Sequence, residues 1–489
     1  MKLKNTLITL LLTIGFVAFS QSDKELVDKT QNKDLSYAHL SFLASDELKG
    51  RDTPSEGQEI AAKYIATQFA LYGVKPFEQL PDYRQRVSFK NIISPTSGVI
   101  AVGGQSFSYE SDFLKMSGEN LNWNGGIARL KYATPEEIAS ADVKGKIIVA
   151  TCGDGKDQSP QAWFSMSSDK RAAAQAAGAV GLIELYNSPQ IPWQLLVRYL
   201  SGDRVTLDKG EKSLSSFWML DEARKATTAF DGAKTLEIKI DGRSSESFTA
   251  PNVVGFVEGT DPKLKNEYVV YCAHFDHIGI GKPDAKGDSI YNGTRDNAIG
   301  TVAVLEAARN IAKYPTKRSA LFVLFTAEEK GLLGSEWFVD NLPVDAKSIV
   351  FCNNIDNGGY NDTSKVTVIG LERTTAAENT IAACKAYGLE AISDPAPEQG
   401  LFDRSDNVRF AAKGIPAPDF SMGFTSFDAE IMKYYHQAGD HVETVDMEYV
   451  YKYWSAYILA GRLISNAKER PFWIMGDKYY DAGVKLYGK

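Results

Sequence analysis

Three short runs constrain this chain more than any other feature: EYVVYCA at residues 267–273, SALFVLFTA at 319–327 and SIVFCNNI at 348–355. Each is apolar nearly throughout and rich in β-branched and aromatic residues, the pattern of a strand buried on both faces. Such strands belong to sheets covered by helices on both sides, so the sequence predicts a doubly wound α/β domain. A chemically capable residue follows each run: His274 the first, the pair Glu328-Glu329 the second, Asp356 the third. In open α/β sheets, ligands gather outside the carboxyl ends of the strands, so three neighbouring strands would deliver these side chains to one rim.

Two further residues complete the pattern. Asp296 heads NAIGTVAVLEAARNIAKY, whose apolar residues recur at helical spacing, and His436 follows in YYHQAGD. Two imidazoles mixed with carboxylates suit zinc or a similar borderline divalent ion, whereas calcium or magnesium would call for oxygens alone. Each position also has an ordinary reading. A lone Asp296 would be an N-cap accepting the first amides of its helix. Paired acids after a strand are commonly a solvated helix start. Their occurrence together favours a site in which one glutamate holds metal and the other serves as base.

His274-Phe275-Asp276 carries more information, since residues two apart in extended chain face the same way and the Asp276 carboxylate could then accept the second imidazole N–H of His274. His277 falls on the opposite face if the strand continues, and reads as a bystander. His39, in the amphipathic stretch SYAHLSFLASDEL, reads as structural.

The strings CAHFDH, NGTRDNAIG, FTAEEKGLLGS, NNID and YYHQAGD, in that order, resemble the co-catalytic zinc exopeptidases that include bacterial leucyl aminopeptidases, glutamate carboxypeptidase II and the transferrin receptor ectodomain. The resemblance implies a doubly wound mixed-sheet catalytic domain and two zinc ions per chain. It makes His274 and Asp356 ligands of one ion, Glu329 and His436 ligands of the other, Asp296 the bridge and Glu328 the general base. Tyr435 resembles the tyrosine that donates to the oxyanion, a role that a packing tyrosine would equally mimic. The chain departs from the family where Asn407 follows Ser405-Asp406, and where Asn357-Gly358-Gly359 replaces the usual apolar residues after Asp356. Both departures bear on the pocket wall.

At 489 residues with 44% hydrophobic content, the chain can bury sizeable cores. Its start, two lysines, an apolar stretch and Ala18-Phe19-Ser20 ahead of Gln21, reads as a cleavable secretory leader over residues 1–20, too short to serve as a stable membrane anchor. The expected location is periplasmic or secreted. A net charge of −8, more negative once Lys2 and Lys4 are removed, argues against nucleic acid as partner. Cys152, Cys272, Cys352 and Cys384 sit in apolar runs and read as buried thiols.

Residues 21–99 read as the amino-terminal part of the peptidase domain, with helices over residues 37–74. Residues 100–230 change character: VKGKIIVATCGDG, DKRAAAQAAGAVG and GLIELYN read as strand, helix and strand, a unit that resembles an inserted protease-associated domain. Its glycines form no dinucleotide or phosphate fingerprint. From LEIKIDG onward residues 231–489 resume the catalytic domain. The reading is an exported di-zinc aminopeptidase acting on peptides. Its alternatives are a carboxypeptidase or a glutaminyl cyclase on the same scaffold, or a receptor-like binding protein without catalysis.

Overall fold

The computed structural model describes residues 22–156, 160–188, 190–210 and 213–488; the leader read in residues 1–20 lies outside them. Nine strands form the larger sheet: β1 (Arg84–Ile93), β2 (Arg204–Leu207), β3 (Ser244–Val257), β4 (Tyr268–His274), β5 (Ser319–Phe325), β6 (Ile349–Ile355), β7 (Lys365–Ile369), β8 (Glu390–Ile392) and β9 (Asp419–Met422). Their order is β8-β7-β9-β6-β4-β5-β3-β1-β2. The middle is parallel, β4 pairing with β5 on one side and β6 on the other, while β3 joins β5 antiparallel. The sheet is therefore mixed, and the three apolar runs are adjacent strands at its centre.

Alternation along β4 shows why helices must cover both faces. Val269, Tyr271 and Ala273 enter one core with the helices Glu56–Tyr72, Ile299–Lys313 and Met447–Asn466. Val270 and Cys272 enter the other, against Phe338, Phe410 and Trp473. The helix Ile299–Lys313 is buried almost all round. Packing, at ~1.5–3 kcal/mol for each fully buried Val, Leu or Ile, holds it rather than end effects. Gly461 lets the long carboxyl-terminal helix lie directly on β4, since a Cβ there would come within 2.2 Å of the Tyr271 ring. That contact braces the strand that ends in His274.

The helices expected across residues 37–74 are present as Lys33–Leu43 and Glu56–Tyr72, with Ser55 capping the second. A second sheet of eight strands runs from Ser97 to Asp241, and its strand-helix-strand centre, Ile147–Thr151, Pro160–Ala176 and Gly181–Tyr186, matches the expected elements. The boundaries differ from the sequence reading in two places. Ser97–Val102 and Thr235–Asp241, the latter within the LEIKIDG run, pair with each other in the smaller sheet. Conversely Arg204–Leu207, inside the expected insert, is the edge strand β2 of the larger sheet. Composition could not reveal this exchange, because pairing across distant sequence leaves no local mark. All four cysteines are buried free thiols. Among the described residues no helix is long and apolar enough to cross a membrane.

Candidate metal centre

The carboxyl ends of β4, β5 and β6 open on one cleft, lined by His274, Asp296, Glu328, Glu329, Asp356 and His436. His274 is the last residue of β4 and Asp356 the first after β6. Glu328-Glu329 occupies a turn between β5 and the helix Leu333–Asp340, not the helix start itself. Ala327, just before the pair, has φ of 55°, and His436 has φ of 54°. Non-glycine residues in this left-handed region are uncommon and gather at functional sites, where surrounding structure holds them.

Asp296 is not the N-cap of its helix. The neighbouring Asn297 carries out that task, its Oδ1 accepting the Gly300 amide at 3.1 Å. The Asp296 carboxylate is thereby free to stand between two groups. Its Oδ1 lies 3.2 Å from His274 Nε2, which is also 3.1 Å from Asp356 Oδ1. Its Oδ2 lies 3.0 Å from His436 Nε2, which is 3.4 Å from Glu329 Oε2. The donors fall into two clusters that share Asp296: His274, Asp296 and Asp356, and His277, Asp296, Glu329 and His436, the atoms of each within 4.8 Å of one another.

Two local expectations change. The strand ends at His274, so the alternation that would have turned His277 away does not apply. His277 is buried, with Nδ1 2.8 Å from Glu329 Oε1 and 4.0 Å from Asp296 Oδ2. The hint in the sequence was Gly279, two residues on, which adopts φ of 80° and marks a turn. The Asp276 carboxylate is not the partner of His274, being 3.9 Å from Nδ1. The Asp276 backbone carbonyl accepts from Nδ1 at 3.1 Å instead, which leaves the Nε2 lone pair facing the cluster. The carboxylate accepts the Glu328 amide at 3.1 Å, so it supports the second strand's turn.

The electrostatics are those of a site built around positive charge. Burial alone would depress His274, yet Asp356, Glu328 and Asp296 raise it well above an ordinary imidazole. His436 is likewise lowered by burial but lifted to about 10 by Asp296 and Glu329. Burial and Asp296 would raise Glu329, but hydrogen bonds from His277 and His436 draw it down to about 2. Glu328 has no such relief: burial, with Asp356 and Glu329 adding to it, holds its carboxyl well above the usual range despite His274. Asp276 is raised to about 7, chiefly by burial. A metal ion must displace any proton its ligands carry, which links its affinity to pH. The mixed nitrogen and oxygen donors of the two adjoining groups fit divalent metal of the zinc type.

Tyr435 stacks on His436 with ring centroids 4.1 Å apart and faces the same cleft. Burial, then Asp296 and Glu329, raise its hydroxyl above the ordinary phenol value. Arg295 is spent elsewhere, donating to Asp440 at 2.6 Å and stacking on Tyr434. Arg404 does line the cleft, beside an apolar wall of Ile369, Leu401, Phe424, Phe427 and Ile431. Asn407 lies beneath the wall, its Nδ2 tying the carbonyls of Phe402 and Ala417 together. Asn357 knots the Asn297 side chain to the Met422 amide, while Gly358 and Gly359 form part of the cleft surface.

Residues 252–458 match the sequence profile of peptidase family M28, a stretch that holds every residue of the two donor clusters and Glu328. Aminopeptidase YwaD of Bacillus subtilis (strain 168) is 27% identical over 335 residues, 67% of this chain and 62% of its own length, so the chain spans less than two thirds of that relative. The probable lipoprotein aminopeptidase LpqL of Mycobacterium tuberculosis is 30% identical over 441 residues, 83% of this chain and 76% of that one. Among solved structures, the aminopeptidase from Aneurinibacillus sp. strain AM-1 has a TM-score of 0.55 at 21% identity, covering 92% of this chain and 97% of that chain; the likeness is one of fold.

Proposed function

This chain belongs to peptidase family M28, and on that premise we propose that it is an exported aminopeptidase that removes amino-terminal residues from peptides with two zinc ions. The observation that carries the reading is the division of Asp296, one oxygen toward His274 and the other toward His436. A carboxylate so placed would serve two ions at once, which favours this reading over a one-ion cyclase. In this proposal His274 and Asp356 hold the first ion, and Glu329 and His436 the second. His277 donates to Glu329 Oε1 and orients it, leaving Oε2 toward His436.

Two bound zinc ions would supply Lewis acidity and a nucleophile at neutral pH. The remaining work belongs to the chain. Glu328 takes the proton of the attacking water and returns it to the departing amine, with its backbone fixed by Asp276. Tyr435 donates its hydroxyl to the developing oxyanion. The apolar wall receives the side chain of the first residue, so leucine-like residues are favoured there. The second sheet is proposed to be a protease-associated domain that limits access to the cleft.

The acids around the cleft favour a cationic α-amine beside the scissile carbonyl. Short peptides with an apolar first residue are therefore expected to lose residues from the amino end, and amino-terminal acetylation to abolish cleavage. Product sequencing on matched free and acetylated peptides checks this. Release of a free amino acid from the carboxyl end of the acetylated peptide would transfer the recognition to Arg404 and make the protein a carboxypeptidase.

A further inference from the structure

The insert and the larger sheet meet along a groove of about 1140 Å³, remote in sequence from every proposed metal ligand. Three guanidinium groups line it: Arg171 from the insert, Arg204 from β2, and Arg243 from the residue just before β3. Their hydrogen bonds go to uncharged groups. Arg204 Nη2 donates to the Met116 carbonyl at 2.6 Å, Arg243 Nε to the Gly118 carbonyl at 2.5 Å, and Arg171 Nη1 to Ser167 Oγ at 3.0 Å. The nearby acids are engaged otherwise: Glu119 accepts from Ser245 at 3.2 Å, and Asp208 from Ser247 at 2.6 Å with Lys90 3.5 Å away.

One buried guanidinium is left with an open donor in this corner. Arg243 is only 5% exposed, and its Nη1 has no acceptor among the described residues. Lys115, 2% exposed, does not line the groove; its Nζ lies 4.4 Å above the Phe217 ring with no acceptor among the described residues. Burial, then the charge of Arg243, pushes the Lys115 ammonium down to about 6, so it can shed its proton. Arg243, lowered by burial only to about 10, cannot do so at neutral pH. A buried guanidinium with an open donor is unfavourable unless an acceptor meets it, and Glu119, the acid in this groove whose charge reaches Arg243, forms its hydrogen bond with Ser245. Its planar fork matches an oxyanion.

We propose that this corner binds a small oxyanion of the sulfate or phosphate type, held by Arg243 with Arg204 and Arg171, and that the anion ties the insert to the peptidase unit. The probe is inorganic sulfate, a weak zinc ligand, added to the metal-loaded mature protein. Sulfate should raise the Tm above that in chloride of equal ionic strength, and calorimetric titration should give one site. In Arg243→Met and Arg204→Met the extra shift should vanish and affinity should fall by roughly tenfold or more, the worth of a lost charge-assisted hydrogen bond. Without sulfate the circular dichroism of both variants should match that of the parent, so that a lost shift is not a lost fold. Glu329→Gln should keep the shift, because the metal centre is not the site. An equal sulfate response in the parent and both variants, no response in the parent, or a response abolished in Glu329→Gln would each overturn the proposal.

Discussion

Glu328→Gln is expected to lower kcat by roughly 10²–10⁴-fold, the usual worth of general acid–base catalysis, while zinc content stays near that of the parent. The geometry separates Glu328 from its neighbour. Glu329 has both oxygens engaged, one by His277 and one by His436, within a donor cluster. Glu328 belongs to neither cluster, lines the cleft, and is held well above the usual carboxylate range by burial and the surrounding acids. Glutamine keeps its shape but cannot take a proton. Glu329→Gln should instead lose one of two ions, because the amide removes the charge that His277 and His436 stabilise. Parallel measurement of zinc content and kcat distinguishes the two, and the reverse pattern would exchange their roles.

Asp296→Asn should affect both ions at once. Its carboxylate is the element common to the two donor clusters, and the imidazoles on either side face different oxygens of it. Asparagine offers one carbonyl oxygen and no charge, so one side would meet an amide N–H directed at a cation. Zinc content is expected to drop below one ion per chain and peptidase activity to fall with it. Loss of a single ion, with the other retained at parental affinity, would show that Asp296 serves one side only. The same variant tests fold integrity, because Asn297 and not Asp296 caps the helix that follows, so the helical signal should persist.

The centre of the fold was legible because burial on both faces forces apolar, β-branched runs, and three such runs turned out to be the adjacent strands β4, β5 and β6. Their ends were legible for the same reason, since a polar residue breaking such a run must find partners. What depended on the chain after a strand was not. His277 was assigned by strand alternation that stops at His274, and the Asp276 carboxylate serves the Glu328 amide where a side-chain contact to His274 had been expected. The edges of the insert escaped because Thr235–Asp241 and Arg204–Leu207 are defined by pairing with distant strands. Asn407 does not line the cleft, its amide being used to fasten Phe402 to Ala417.

The most direct test of the proposed two-ion centre is a zinc count on the protein, stripped of metal, reloaded with excess zinc, desalted and measured by elemental analysis alongside activity. Two ions per chain are predicted, with activity rising as the second site fills. One ion or none in a folded, reloaded protein would contradict the account.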